Sequence, residues 1–239
     1  MRRLVLTTAG VVAAAQVGPA ATWLPAVRRS LTPRLAGPGD PASVAVTFDD
    51  GPHPVGTPAV LDMLDRLGWR ATFFVLGAEA RRHPDVVLET ARRGHEVALH
   101  GDAHRYLLWR NPRDTAADLR RGVDTVADIL GSPPVWWRPP YGVLSGPALL
   151  AARRLRLRPV LWSAWGRDWR AAATPQSVVA DLTADRSGLG GATLLLHDSD
   201  VTSTPLAWRT TVDALPLLAE LVNRAGLKPQ TLSAHLAAR

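Results

Sequence analysis

Two aspartates side by side, Asp49 and Asp50, end an apolar run and lead into Gly51 and Pro52. Two histidines four residues apart, His100 and His104, follow a second apolar run, Val97-Ala98-Leu99. One carboxylate with two imidazoles is a ligand set for a divalent metal, with positions left open for water and substrate. Adjacent carboxylates repel unless a cation holds one of them. With Asp50, His100 and His104 as the ligands, Asp49 is free to act as a base. A divalent ion lowers the pKa of a bound water toward ~7, so the chemistry this set suits is metal-assisted hydrolysis. Asp, Gly and Pro also favour a β-turn. A turn is one way to present both carboxylates, so the two readings are compatible.

Further positions fit the same reaction. Arg138 opens the segment Arg138-Pro139-Pro140-Tyr141-Gly142. Its guanidinium can pair with Asp49 and hold it ionised, and the rigid Pro-Pro lets a backbone N–H near Tyr141 face a developing oxyanion. Taken alone, the segment reads as an extended proline turn with an outward arginine. His197 ends the run Leu194-Leu195-Leu196 and suits a general acid that protonates a leaving amine. Asp168 can hydrogen-bond His197 and raise its pKa. Nine tryptophans stand against three phenylalanines and two tyrosines. Trp162, Trp165 and Trp169 gather near these positions. Exposed indoles suit a sugar face, whereas Trp162 and at least one of Trp136 and Trp137 are expected in the core.

Positioning such groups requires a repeating scaffold. Short apolar runs bounded by Gly, Pro or charge predict strands over 44–48, 71–76, 96–99, 135–138, 158–162 and 192–196, with a seventh at 230–232. Helices are predicted over 57–67, 84–93, 114–130, 145–154, 175–184 and 207–225. The first of these follows a Thr57 cap with Pro58 in the first turn. Strand and helix in alternation make parallel βα units, which close into a barrel or form an open doubly wound sheet. The reactive residues fall at strand C-terminal ends, which converge on one mouth in a βα-barrel.

The chain has 239 residues, 46% of them apolar, which suits one sizeable folded domain with an N-terminal appendage. It has no cysteine, which excludes disulfides and thiolate-bound zinc. The net charge is +7, carried almost wholly by arginine, with Lys228 as the only lysine. The arginines are scattered and form no basic stripe, so nucleic acid is not an expected partner. Arg2 and Arg3 precede an uncharged stretch over 4–27 that can be a cleaved signal peptide or a membrane anchor. Arg28, Arg29 and Arg34 just beyond it weigh against simple export. The expected organisation is a signal peptide or anchor at 1–30, a Pro/Gly-rich linker at 31–43 and a catalytic domain at 44–239.

The ordered set of motifs resembles the polysaccharide deacetylase family, the NodB-homology domain of carbohydrate esterase family four. Five motifs carry the resemblance, at 47–51, 100–104, 138–142, 168–169 and 195–197, and it spans 44 to the C-terminus. It implies an α/β fold, a distorted (β/α) barrel of six to seven parallel strands. It also implies hydrolysis of an N-acetyl or O-acetyl group on a carbohydrate. The resemblance makes Asp49 the base, His197 the acid, and Asp50, His100 and His104 the ligands of zinc, with cobalt or another divalent ion as alternatives. Arg138 would orient Asp49, Asp168 would tune His197, and the Tyr141 backbone would assist the oxyanion. Trp169 and Leu195 would wall the acetate pocket. In two places the chain departs from the family pattern. Gly101 replaces the usual Ser or Thr after the first histidine, with Asp102 as a candidate substitute brace. Trp165 stands near the place of an acidic residue in the fourth motif. The expected location is the cell envelope, secreted or membrane-anchored, with membrane or cell-wall association and the cytoplasm as the alternative. Other readings are a catalytically silent sugar-binding barrel, or a deacetylase or deformylase of a lipid-linked sugar or small metabolite.

Overall fold

The structure is a computed structural model that describes residues 14–184 and 188–237. Its centre is strand β1 (Ser43–Asp49), every residue of which is buried. One edge of β1 pairs through residues 45–49 with β7 (Thr193–His197). The other edge pairs first with β8 (Lys228–Gln230) and then, through 47–49, with β2 (Thr72–Leu76). β2 continues to β3 (Glu96–Gly101), β4 (Trp136–Trp137) and β5 (Arg158–Pro159). β6 (Ala164–Trp165) lies outside β7. All pairings are parallel, in the order β5-β4-β3-β2-β1-β7-β6, and the sheet curls into the distorted barrel expected from the sequence.

Successive side chains on β1 face opposite ways. Val44, Val46 and Phe48 enter the main core beneath the helices, where Phe48 stacks on Phe73 with ring centroids 5.0 Å apart. Ala45 faces a smaller cluster with Phe74, Ala98, Trp136 and Val160. Thr47 and Asp49 share the face of Ala45 by alternation, so the strand delivers Asp49 to the inside of the curl.

Helix α1 (Pro25–Leu31) precedes the sheet. Helices α2 (Gly56–Leu67), α3 (Gly77–Arg82), α4 (Pro84–Arg92), α5 (Pro112–Leu130), α6 (Gly146–Arg154), α7 (Pro175–Thr183) and α8 (Ala207–Arg224) follow strands in turn, and α9 (Leu232–Ala237) closes the described chain. The sequence reading missed the short α3 and α9 and the two-residue β6. Thr57 does not cap α2. That helix starts at Gly56, and the His53 imidazole accepts from the Val55 and Gly56 N–H groups at 3.2 and 2.8 Å. Thr57 is inside the helix and donates its hydroxyl to Asp198.

β5 and β6 make no pairing among the described residues, which leaves a seam in the curl. The Pro/Gly-rich stretch lies against it. Leu35 accepts from Leu161 N–H at 2.7 Å, Gly37 accepts from the Thr193 hydroxyl at 2.7 Å, and Gly39 donates to Gly191 at 3.1 Å. Of the apolar N-terminal stretch, residues 1–13 lie outside the described residues. No helix of the described residues is long and apolar enough to cross a membrane.

Phe48 is fully buried and stacked, so Phe48→Ala is expected to cost about 3–5 kcal/mol of folding stability. Equilibrium denaturation of the two proteins measures this. A loss no larger than that of a surface substitution would show that β1 is not the centre of the core.

Candidate active site

Asp49, Asp50, His100, His104 and His197 line one cavity of about 570 Å³ at the strand C-terminal ends, together with Tyr141, Trp169 and Leu195. Arg138 and Asp168 lie behind this wall, fully buried. The structure thus brings all ten sequence-predicted residues into one place.

Asp49 accepts from Arg138 Nη1 at 2.6 Å. The same Nη1 reaches Thr47 Oγ1 at 2.8 Å, and Nη2 donates to the Leu161 carbonyl at 2.9 Å. The guanidinium also lies over the Phe74 ring at 4.0 Å. The outward arginine considered for this segment is therefore not what forms. Tyr141 stands beyond the two prolines in the left-handed region at φ 59°, a conformation few side-chain-bearing residues adopt. The prolines and this reversal turn the chain toward the cavity.

Asp50 also has a positive φ, 76°. This turns its carboxylate away from that of Asp49 and toward the histidines. His100 Nε2 lies 3.3 Å and His104 Nε2 3.5 Å from Asp50 Oδ1. His100 Nδ1 faces the Arg138 carbonyl at 2.9 Å. A carbonyl only accepts, so Nδ1 carries a proton and Nε2 is the ring atom turned toward Asp50. Burial pushes His104 down to about 4, with His100 adding to the effect, so this ring is neutral at neutral pH. Burial would raise the Asp50 pKa, but the imidazoles around it prevail and hold it well below the usual carboxylate range. Asp50 Oδ1 is buried without a hydrogen-bond partner. Its contacts with the two rings are longer than charge-assisted hydrogen bonds, which run ~2.7–2.9 Å. Three electron-pair donors gathered within 4.8 Å of one another suit a cation between them, so the residues present fit a divalent metal.

His197 faces Asp50 Oδ2 from the other side at 4.0 Å. Its Nδ1 bonds Asp168 Oδ1 at 2.7 Å, and its backbone N–H donates to Asp168 Oδ2 at 2.7 Å. Burial alone would lower its pKa, but Asp168 outweighs that, and with Asp50 and Asp49 pushes it up to about 10.

Sequence reasoning missed four residues around this set. Thr211 of α8 donates to Asp168 Oδ2 at 2.6 Å, and Thr202 donates to Asp50 Oδ2. Asp198 is buried and abuts Gly51, where a Cβ would come within 2.4 Å of its carboxylate. Burial raises Asp198 to about 7 against the hydrogen bond from Thr57. Asp118 accepts from Asp102 N–H at 3.1 Å and braces the loop of the two histidines. The Asp102 side chain is itself buried, and its carboxylate pairs with Arg81 at 2.7 Å and Arg121 at 3.1 Å. None of the four sits in a local pattern that marks it, except that Asp198 follows His197 directly.

A buried carboxylate and two imidazoles beside a separately held carboxylate and imidazole, at the mouth of a parallel barrel, define the class: a hydrolase with a metal-competent centre. A family profile described as polysaccharide deacetylase matches residues 36–160. The chain is 35% identical over 197 residues to a chitooligosaccharide deacetylase of Sinorhizobium fredii, an alignment covering 80% of this chain and 90% of that one. It is 28% identical over 190 residues to the peptidoglycan-N-acetylmuramic acid deacetylase PdaC of Bacillus subtilis, covering 80% of this chain but 38% of that longer protein. A family 4 carbohydrate esterase from Streptomyces lividans, solved with acetate, superposes with a TM-score of 0.69 at 28% identity, over 79% of this chain and 91% of that one. This chain belongs to the polysaccharide deacetylase family and is a carbohydrate deacetylase by class.

Gly101 has φ +120°, where a side chain is strained, although a Cβ would meet only ordinary contacts at 3.4 Å and beyond. Gly101→Ser is therefore expected to lower stability by about 1–3 kcal/mol and to loosen His100 and His104. Denaturation and metal titration check this, and unchanged values would show that the loop tolerates the family hydroxyl. The high pKa of His197 means that its protonated form stabilises the fold. That contribution is complete below its ordinary 6.5 and lost as pH rises through about 10. In metal-free protein, ¹⁵N-detected imidazole spectra should show both His197 nitrogens protonated at pH 8. Titration near pH 6.5 would refute the Asp168 effect.

Proposed function

We propose that this protein removes the acetyl group from the nitrogen of an N-acetylated amino sugar in a cell-envelope glycan. The observation that carries the reading is the division of labour within one cavity: Asp50, His100 and His104 converge on a point, while Asp49 and His197 are each held by a separate buried partner. A divalent ion held by the three ligands, zinc in the first instance, would supply Lewis acidity to the acyl oxygen and make water a stronger acid.

Asp49 takes a proton from the attacking water, and Arg138 keeps its carboxylate aimed. Oxygen adds to the acyl carbon, the C–N bond breaks, and acetate departs. His197 delivers the proton that the leaving amine needs, and Asp168 keeps that imidazole charged and oriented. The backbone at Tyr141 is assigned to the developing oxyanion, with Trp169 and Leu195 as walls of the acetyl pocket. The names of the two relatives, one acting on peptidoglycan and one on chitooligosaccharides, support an acetylated glycan as substrate and the cell envelope as location. In this reading the apolar N-terminal segment serves as export signal or anchor.

The test is acetate release by the full chain from N-acetylglucosamine oligomers, peptidoglycan fragments and acetylated xylan. Release from at least one is expected to stop with chelator and return with zinc. Asp49→Asn is expected to keep the metal and lose activity by about 10²–10⁴-fold. Near-normal turnover by that variant would remove Asp49 from the mechanism. Chelator-resistant acetate would remove the metal.

A further inference from the structure

A second cavity of about 560 Å³ lies behind the indole wall of the first. Trp23, Trp162 and Trp165 line both. Among prolines and small apolar residues, Arg28 and Arg29 from α1 and Arg167 from the loop after β6 bring three cations to the wall of the second cavity. Among the described residues Asp181 is its only acidic lining residue, and Arg167 at 3.6 Å and Arg170 already hold that carboxylate.

Arg28 is the unusual group. It is only 6% exposed, its guanidinium lies 5.7 Å from the Trp162 ring, and its Nη1 donates to the Thr22 carbonyl at 3.3 Å. No carboxylate among the described residues lies within ion-pair distance of it. A buried cation without a counter-charge is costly. Here the neighbouring Arg29 adds repulsion, and burial and Arg29 both lower the Arg28 pKa. The arrangement becomes favourable when an anion enters the cavity, because a guanidinium fork matches a carboxylate or phosphate edge.

We propose that this cavity is an anion subsite that takes a carboxylate or phosphate of the same glycan whose acetyl group enters the adjoining pocket. The proposal rests on the deacetylase reading. It deepens that reading by making the enzyme selective for negatively charged acetylated glycans over neutral ones. The anion can be a lactyl or peptide carboxylate of a cell-wall strand, or the phosphate of a lipid-linked sugar. The indoles between the two cavities place the sugar's apolar face and its charge on the two sides of one wall.

Two measurements test it. Chelator-treated full chain is titrated with inorganic phosphate and separately with lactate, with indole fluorescence as the reporter. At least one probe should bind, and Arg28→Gln/Arg29→Gln should weaken it by about tenfold or more. Arg28→Lys, which keeps the charge in place, should retain most of the binding. Probe affinity equal in wild type and the double variant would overturn the subsite. The zinc-loaded proteins are then compared on neutral N-acetylglucosamine oligomers, carboxylate-bearing muropeptides and a lipid-phosphate-linked N-acetylated sugar. The double variant should lose kcat/KM on one charged class and keep it on the neutral oligomers, and the class that suffers identifies the source of the anion. Arg29→Gln alone removes an exposed charge without opening the buried contact, and should show a smaller loss on the same class. Equal losses on neutral and charged substrates would overturn the subsite. Absence of acetate from every substrate would count against the deacetylase reading, while the probe titration would still decide the subsite.

Discussion

A guanidinium with no exposed surface stays in a protein only when its charge is paired and most of its donors are met. Arg138 leaves Nε without a hydrogen-bond partner among the described residues, but both its terminal nitrogens are met, by Asp49, Thr47 and the Leu161 carbonyl, with the Phe74 ring beneath its plane. Its partners come from β1, β2 and the segment after β5, so one side chain ties together three parts of the curled sheet. Its own carbonyl receives His100 Nδ1–H. The same residue therefore aims the candidate base through its side chain and sets the tautomer of a candidate metal ligand through its backbone. Breaking a buried pair of this kind typically costs ~3–5 kcal/mol because the surviving charge has no water. The site and the fold depend on the same contact.

Around that contact, two neighbouring carboxylates acquire different environments. Asp49 follows the strand alternation inward to arginine. Asp50 leaves the strand through a left-handed residue and meets imidazoles. Gly51 then lies against Asp198 too closely for any side chain. Three consecutive residues thus sit under three separate constraints. A further pair, Asp168 and His197, is held at the far side of the cavity by the adjacent strand and by Thr211 of α8.

The incompleteness of the barrel matters as much as its closed part. Where β5 and β6 fail to pair, the chain before β1 supplies Leu35 and Gly37 as hydrogen-bond partners. The helical segment ahead of it brings Trp23 to the cavity mouth and Arg28 beneath Trp162. Residues that read as an appendage by composition are part of the wall around the site.

The sequence by itself determined the chemistry. Residue types at strand ends picked out the candidate ligands, base and acid and their two partners, which the fold gathers in one place, because reactive side chains there must be polar where apolar neighbours would otherwise be expected. It also determined the parallel α/β class, since apolar runs and caps are local signals. It did not reveal β6 or α3, which are too short to carry a period, nor His53 as the acceptor for the N–H groups at the start of α2, because an imidazole is uncommon in that place. Thr202, Thr211, Asp118 and Asp198 were silent, since hydroxyls and carboxylates are common in loops and helices and gain meaning only from a partner far along the chain. The opposite orientations of Asp49 and Asp50, the seating of residues 33–39 in the seam and the arginine-bearing cavity behind the indoles were decided by tertiary structure alone. Each depends on which distant groups pack together and on which charges are removed from water, and no local pattern encodes either.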